Sequence, residues 1–194
     1  QRVQTPFRRG IQDLQRLVAR FPNSGAITIC GEFQDHVEEA CRFIGNAFSL
    51  IFVDPIGWDV DLPLLRPLLR LRGEVIINFM YDAINRHVLE NPQGSVQSSF
   101  EPTFGGPGWS SEIQERRSAG DDREAAILGV FCDRLRAAGD FEYVTSTRIM
   151  KPLADRTYFY LVYATRHWKG VEEFRSVEEK ALEVQEKVRF DAKF

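Results

Sequence analysis

Three apolar runs, each too short for a helix, alternate with amphipathic stretches between Ala26 and Met80, and this alternation is the strongest constraint in the chain. The runs are "AITIC" (Ala26–Cys30), "FSLIFVD" (Phe48–Asp54) and "GEVIINFM" (Gly73–Met80). Strand, helix, strand, helix, strand in so short a span predicts an α/β domain whose strands run parallel through right-handed crossovers. Asp35 is expected to cap the helix carrying Val37, Ala40, Cys41 and Ile44. The next helix carries Leu62, Leu65, Leu68 and Leu69; Pro63 suits its first turn, whereas Pro67 implies a kink or a late start. A further helix is expected ahead of the first strand, on the stripe Phe7, Ile11, Leu14, Leu17, Val18 and Phe21, closed by Pro22-Asn23-Ser24-Gly25.

The pattern changes after Met80. "YDAINRHVLE" reads as helix, and the following "NPQGSVQSSFEPTFGGPGWSS" has almost no periodicity, as in a lid, a binding loop or a disordered stretch. Ala126, Ile127, Val130, Phe131 and Leu135 mark another helix over 122–138. "FEYVTSTRIMK" and "TYFYLVYATR", split by Pro152-Leu153-Ala154-Asp155, predict an antiparallel hairpin. The chain then carries Val171, Phe174, Val177, Ala181, Val184 and Val188 at helical spacing on a charged background. That stripe fits an exposed connector or a pairing helix better than a core element.

Size and charge narrow the choice of function. With 194 residues, 43% of them hydrophobic, the chain has enough apolar material for one domain with a full core. A net charge of -3 supplies no global field for nucleic acid, although a local basic patch is compatible with it. Cys30, Cys41 and Cys132 are odd in number and form no C-x-x-C pair, which suits reduced interior thiols rather than a disulfide frame or a zinc site. No apolar run reaches the roughly 20 residues of a membrane span, and no signal peptide is recognisable. The expected compartment is the cytoplasm. The start at Gln1, without methionine and close to a helical pattern, is expected of a piece of a longer polypeptide.

Several blocks in order, "GEFQDHVEEACRFIG", "LIFVDPIGWDVDLPLLRPLL", "EVIINFMYDAINRHV", "FGGPGW" and "YFYLVYATRHWKG", resemble the three-Cys-motif partner proteins. The similarity covers about Gly31 to Gly170. It implies a Rossmann-like three-layer sandwich of the class I methyltransferase type. The sheet is then mostly parallel with a C-terminal antiparallel β-hairpin, and the last strand slots in antiparallel between two earlier ones. By this resemblance residues 1–170 form the methyltransferase-type domain and 171–194 a helical extension or linker. The glycine-rich turn and acidic strand end that grip S-adenosylmethionine in such enzymes are absent here, as though the first two βα units were missing.

The resemblance also distributes roles. Asp54 ends the central strand, and Pro55 biases it toward an extended backbone that turns the carboxylate to the cleft. The matching position in a methyltransferase faces the substrate nucleophile and the methyl donor. Amino-group methyltransferases often carry DPPY there, and Asp54-Pro55-Ile56-Gly57-Trp58 lacks the second proline and the tyrosine. Asp54 is alternatively a cap for the next helix. Glu32, with Phe33 beside it, is expected near the cofactor adenine or else on a solvated turn. Asn78 is expected to point its side-chain amide into the cleft, as a catalytic residue along with Asp54 and Pro55. Arg86 either binds a phosphate or carboxylate of the substrate or pairs with Glu90. Trp58 and Trp109 either stack on a base or anchor their loops. His36, His87 and His167 share no ligand spacing, so no metal is expected. The cluster of Arg166, His167 and Lys169 reads as a solvated strand end rather than a phosphate contact.

Three functions follow as expectations. The first is an S-adenosylmethionine-dependent methyltransferase acting on nucleic acid in a mobile-element or defence setting. The second is a non-catalytic partner module for a companion protein, with homo-oligomerisation through the C-terminal helix as a further option. The third is a hydrolase or nuclease in which Asp54, Asp59 and Asp61 share a divalent ion.

Overall fold

Ser49–Val53 (β1) and Gly73–Phe79 (β2) lie side by side in parallel, with Ser49 opposite Gly73 and Val53 opposite Ile77. The crossover between them is a short helix, Leu62–Leu69. The computed structural model describes residues 6–55, 60–88 and 98–193. Within them the helices are Pro6–Ala19 (α1), Phe33–Ile44 (α2), Leu62–Leu69 (α3), Tyr81–Val88 (α4), Trp109–Ser118 (α5), Arg123–Gly139 (α6) and Trp168–Lys193 (α7). A 3-10 turn at Pro22–Ser24 follows α1 and ends at Gly25, whose φ of 67° lies in the left-handed region. Tyr143–Met150 (β3) and Thr157–Thr165 (β4) form the expected hairpin.

The strand order is β1-β2-β4-β3. β4 lies between β2 and β3 and runs antiparallel to both. The chain is therefore α/β with an open mixed sheet, but the expectation of a mostly parallel sheet is corrected: one pairing is parallel and two are antiparallel. β1, β2 and β3 nevertheless point the same way, because β4 reverses direction twice over. The shortage of parallel pairings has a specific source. "AITIC" forms no strand; residues 26–30 join no ladder, and Ile27 and Ile29 stay 50% and 38% exposed. An apolar run becomes a strand only when another edge accepts its backbone groups, and among the described residues none lies beside this one.

Alternation assigns the two sheet faces. Val75, Ile77 and Phe79 of β2 share a face with Tyr160, Val162 and Ala164 of β4, and all are buried. On that face Phe79 stacks on Phe131 of α6 with centroids 4.2 Å apart, and Phe104 meets Phe79 edge-on at 6.4 Å. The opposite face carries Tyr163, on which Phe174 of α7 stacks at 4.6 Å. α7 is pinned to β3 further along, where Glu178 accepts from the Thr147 hydroxyl at 2.6 Å and Gln185 accepts from the Met150 amide at 2.8 Å. Its helical stripe is thus split: Val171 and Phe174 lie on the packed side, while Val177, Val184 and Val188 face solvent.

Helix starts follow local chemistry. Asp61 caps α3 by accepting from the Leu64 amide at 2.8 Å, and Asp122 caps α6 through the Ala125 amide at 2.8 Å. Asp35, expected as the cap of α2, sits inside its first turn, and the cap position is Glu32. Pro67 lies within α3. The aperiodic stretch is no lid where it is described, since Phe100, Phe104 and Trp109 are buried in the core. Cys30 corrects the expectation of interior thiols, being exposed; burial and the neighbouring Asp133 push the Cys132 thiol up to about 12.

Arg166 ties these elements together. Its guanidinium donates to the carbonyls of Leu69 (2.7 Å), Leu71 (3.1 Å), Gly73 (3.3 Å) and Gly139, and lies over the Phe141 ring at 4.5 Å. Helix ends leave carbonyls unsatisfied, and here one side chain serves the ends of both α3 and α6. The expectation of a solvated strand end is therefore corrected for Arg166. Gly73 is required where β2 opens, because a Cβ there would stand 2.0 Å from the Ser49 carbonyl oxygen. Arg166→Ala is expected to lower unfolding stability by about 3 kcal/mol, since several charge-assisted hydrogen bonds are lost together. Arg166→Lys recovers less than half, lacking the planar fork. Urea unfolding followed by circular dichroism measures both.

Candidate functional site

A cavity of about 560 Å³ opens at the carboxyl end of β1. Its walls come from three elements: Glu32, Phe33 and Gln34 at the start of α2, Ile51 to Pro55 of β1 and its end, and Val60, Asp61, Leu64, Leu65 and Leu68 around α3. A parallel crossover places the carboxyl end of its strand beside the start of its helix, which is why α/β sheets bind ligands there. The volume lies in the ordinary range for small-molecule sites. Four of the expected residues meet here, namely Glu32, Phe33, Asp54 and Pro55. Among the described residues the lining contains carboxylates at Glu32, Asp54 and Asp61 and neither lysine nor arginine.

Asp54 is exposed, and its Oδ1 accepts from Asn78 Nδ2 at 2.7 Å. The parallel register brings the two strand ends level, Val53 opposite Ile77, so the residues that follow meet across the ladder. Asn78 thus acts on Asp54 and does not line the cavity. The Asn78 Oδ1 is buried and has no hydrogen-bond partner among the described residues. Asp61 lines the cavity but spends one oxygen on the α3 cap.

The other expected site residues fall elsewhere. Trp109 is 3% exposed, stacked on Phe104 at 4.9 Å and edge-on to Phe100 at 6.1 Å. An indole held so deeply anchors its segment and has no free face for a base, so the expected stacking role is corrected. Arg86 donates to the Asp82 carbonyl at 3.0 Å and lies 3.4 Å from its carboxylate, within its own helix. Trp58 and Asp59 lie outside the described residues, as does Glu90, the alternative partner of Arg86. Among the described residues no group of three His, Cys, Asp or Glu side chains is arranged to hold a metal ion. None of the described helices is long and apolar enough to cross a membrane.

Two polar clusters escaped sequence reasoning. Glu124 accepts from Tyr160 Oη at 2.5 Å and from the Thr157 hydroxyl, while Arg148 stands 3.5 Å from its carboxylate. Burial, with Glu124 beside it, raises the Tyr160 phenol well above its ordinary range, and pushes Tyr81 up to about 12. These groups are neutral donors at any physiological pH. Asp82 forms the second cluster, with Lys151 Nζ at 2.7 Å across 69 positions of sequence. No periodicity announces such a pair, because its partners lie on different elements.

Asp82 yields a pH prediction. Burial alone would raise its carboxyl, but the hydrogen bond and charge of Lys151, with Arg86 behind, outweigh burial and hold it below the ordinary value. A carboxyl depressed on folding stabilises the protein above its unfolded pKa of about 3.9, and that contribution disappears as pH falls through the folded value. Lys151→Met is expected to cost about 1–2 kcal/mol near neutrality. The gap between variant and wild type should close on acidification below about pH 4, as read by urea unfolding at a series of pH values. No family model, curated protein or solved structure matches this chain.

Proposed function

We propose that the chain is a methyltransferase-like protein whose cavity at the end of β1 receives the nucleoside part of S-adenosylmethionine. The observation that carries this reading is the convergence of Glu32, Phe33, Asp54 and Pro55 on one cavity of about 560 Å³ at a strand end. A Rossmann-like sheet of the methyltransferase type accounts for β4 standing antiparallel between β2 and β3. An aromatic ring for the adenine and a carboxylate for hydroxyl or amine donors fit a nucleoside. The fit stops there, since the lining has no cation for the carboxylate of the methionine moiety. In this reading Glu32 and Phe33 hold the nucleoside. Asp54, steadied by Asn78, accepts from a donor on the substrate. Nucleic acid is the proposed substrate class.

Isothermal titration of S-adenosylhomocysteine into the protein tests the reading. Saturable binding is expected, weakened about tenfold or more by Phe33→Ala, through the lost stacking energy of about 1–3 kcal/mol. Absence of heat up to millimolar ligand sinks it. A second reading, an interaction module for a companion protein, is favoured by a different observation: ten large apolar side chains between Leu14 and Phe52 are exposed, and of the described residues before β1 only Val37 is buried.

A further inference from the structure

The turn between β3 and β4 stands at the same end of the sheet as the cavity, because β1, β2 and β3 all run toward it. It also projects. β2 ends at Phe79, opposite Tyr160, whereas β4 already begins at Thr157. The hairpin therefore outruns β2 by Thr157, Tyr158 and Phe159, roughly 10 Å at the usual rise per residue. The register slips near the tip: Ile149 stands opposite Phe159 but Met150 opposite Thr157, so Tyr158 has no residue facing it on β3. A bulge of this kind re-aims a side chain. Tyr158 is 40% exposed, and Lys151 Nζ lies 5.4 Å from its ring centroid. Both border a shallow hollow of about 440 Å³ completed by Pro152, Leu153 and Ala154.

Charge at this end is unbalanced. Asp82, at the start of α4, is met by Lys151 at 2.7 Å and Arg86 at 3.4 Å, and the charge of Arg156 reaches the same carboxylate. Three cations thus converge on one anion. Asp155, the carboxylate of the turn itself, is held by Arg189, and Glu124 is matched by Arg148 at 3.5 Å. Arg156 and Arg86 both reach solvent, the Arg86 side chain being 64% exposed. In a chain of net charge -3 this patch is locally positive, and a local field of that sign draws anions.

We infer that this patch is a track for single-stranded nucleic acid, in which the Tyr158 ring stacks on an unpaired base while Arg86 and Arg156 bind the flanking phosphates. The inference rests on the nucleic-acid substrate of the methyltransferase reading and names the surface that holds it. Guanidinium groups match phosphate oxygens through paired N–H···O bonds. That alone would also suit an acidic peptide. The exposed ring beside an apolar hollow decides between the two, because it offers a face to a base and nothing to a carboxylate. A paired base has both faces covered, so the strand is single. Glu32, Asp54 and Asp61 lie across β2 from the turn and repel phosphate, which keeps the backbone on the β4 side. Two strand spacings, about 10 Å, separate the end of β1 from β4, so a group at Asp54 and a base at Tyr158 belong to one short stretch of strand.

The test titrates the intact chain into fluorescein-labelled single-stranded DNA and RNA of about 12 nucleotides and reads anisotropy over a series of salt concentrations. Saturable binding of one or both is expected, weakening with salt. Tyr158→Ala should cost about tenfold in affinity, in keeping with one lost stacked base, and Tyr158→Phe should retain most of the binding. Arg86→Gln and Arg156→Gln should each make the slope of log affinity against log salt shallower by about 0.7, the value for one phosphate of a single strand. Lys169→Gln removes a cation beyond the opposite end of β4 and should change neither quantity. No binding of either strand at low salt, an equal loss in Lys169→Gln, or a duplex bound as tightly and indifferent to Tyr158→Ala overturns the inference. So does displacement by polyglutamate as effective as that by unlabelled oligonucleotide, which would mark an acidic protein as the occupant. S-adenosylhomocysteine titrated separately keeps the two readings apart. Its binding without oligonucleotide binding rejects the track alone, and oligonucleotide binding without it upholds the track and rejects the methyltransferase reading.

Discussion

The fold depends on one guanidinium. Arg166 follows the last residue of β4 and reaches the carbonyls that end α3, open β2 and end α6. Those carbonyls lie between 27 and 97 positions from Arg166 in sequence and need donors that water supplies poorly in a packed corner. A single planar cation with five donors meets the need and covers Phe141 as well. The far end of β4, which lies antiparallel between β2 and β3, is thereby fastened to the connections on either side. The aromatic core of Phe79, Phe104 and Phe131 then fills the helix-facing side.

Burial declines from that corner toward β1. The half containing β2, β4, α6 and α7 has helices on both faces of the sheet and polar networks joining them. The half containing residues 12–55 is held through the β1–β2 ladder and the packing of α2 on α3, and it leaves Phe21, Ile27, Phe43 and Phe52 exposed. The cavity sits at the junction, with one wall supplied by the firm side and one by the sparse side. A ligand placed there would bridge the two. It would bury surface that the described residues leave open, and burial of apolar surface is the main source of favourable free energy.

Part of the cavity lining was legible in the sequence, Asp54 and Pro55 from the strand end and Glu32 and Phe33 from the resemblance. The apolar run stopping at Asp54-Pro55 marks one wall of the cavity, and Glu32-Phe33 lie on another. The same reading left Trp109 open between stacking on a base and anchoring its loop, and its burial at 3% exposure fits the anchor. Glycines around an aromatic look alike whether the ring points outward or, as here, stacks on Phe104. Arg86 was ambiguous for a related reason, since a helix surface pair and a ligand contact have the same spacing. "AITIC" misled because its apolar character is that of a strand, while strand formation depends on a partner edge.

Length, periodicity and turn residues by themselves determined that the chain is α/β, the approximate places of most of its helices, and that a hairpin follows them. These are local properties, settled by a few neighbouring residues and the repeat of 3.6 or 2. Only the tertiary structure decided the strand order, the burial of Trp109 and the pairings of Arg166 and of Lys151 with Asp82. Each of these joins groups far apart in the chain, and no local pattern encodes which distant backbone or side chain a given residue will meet.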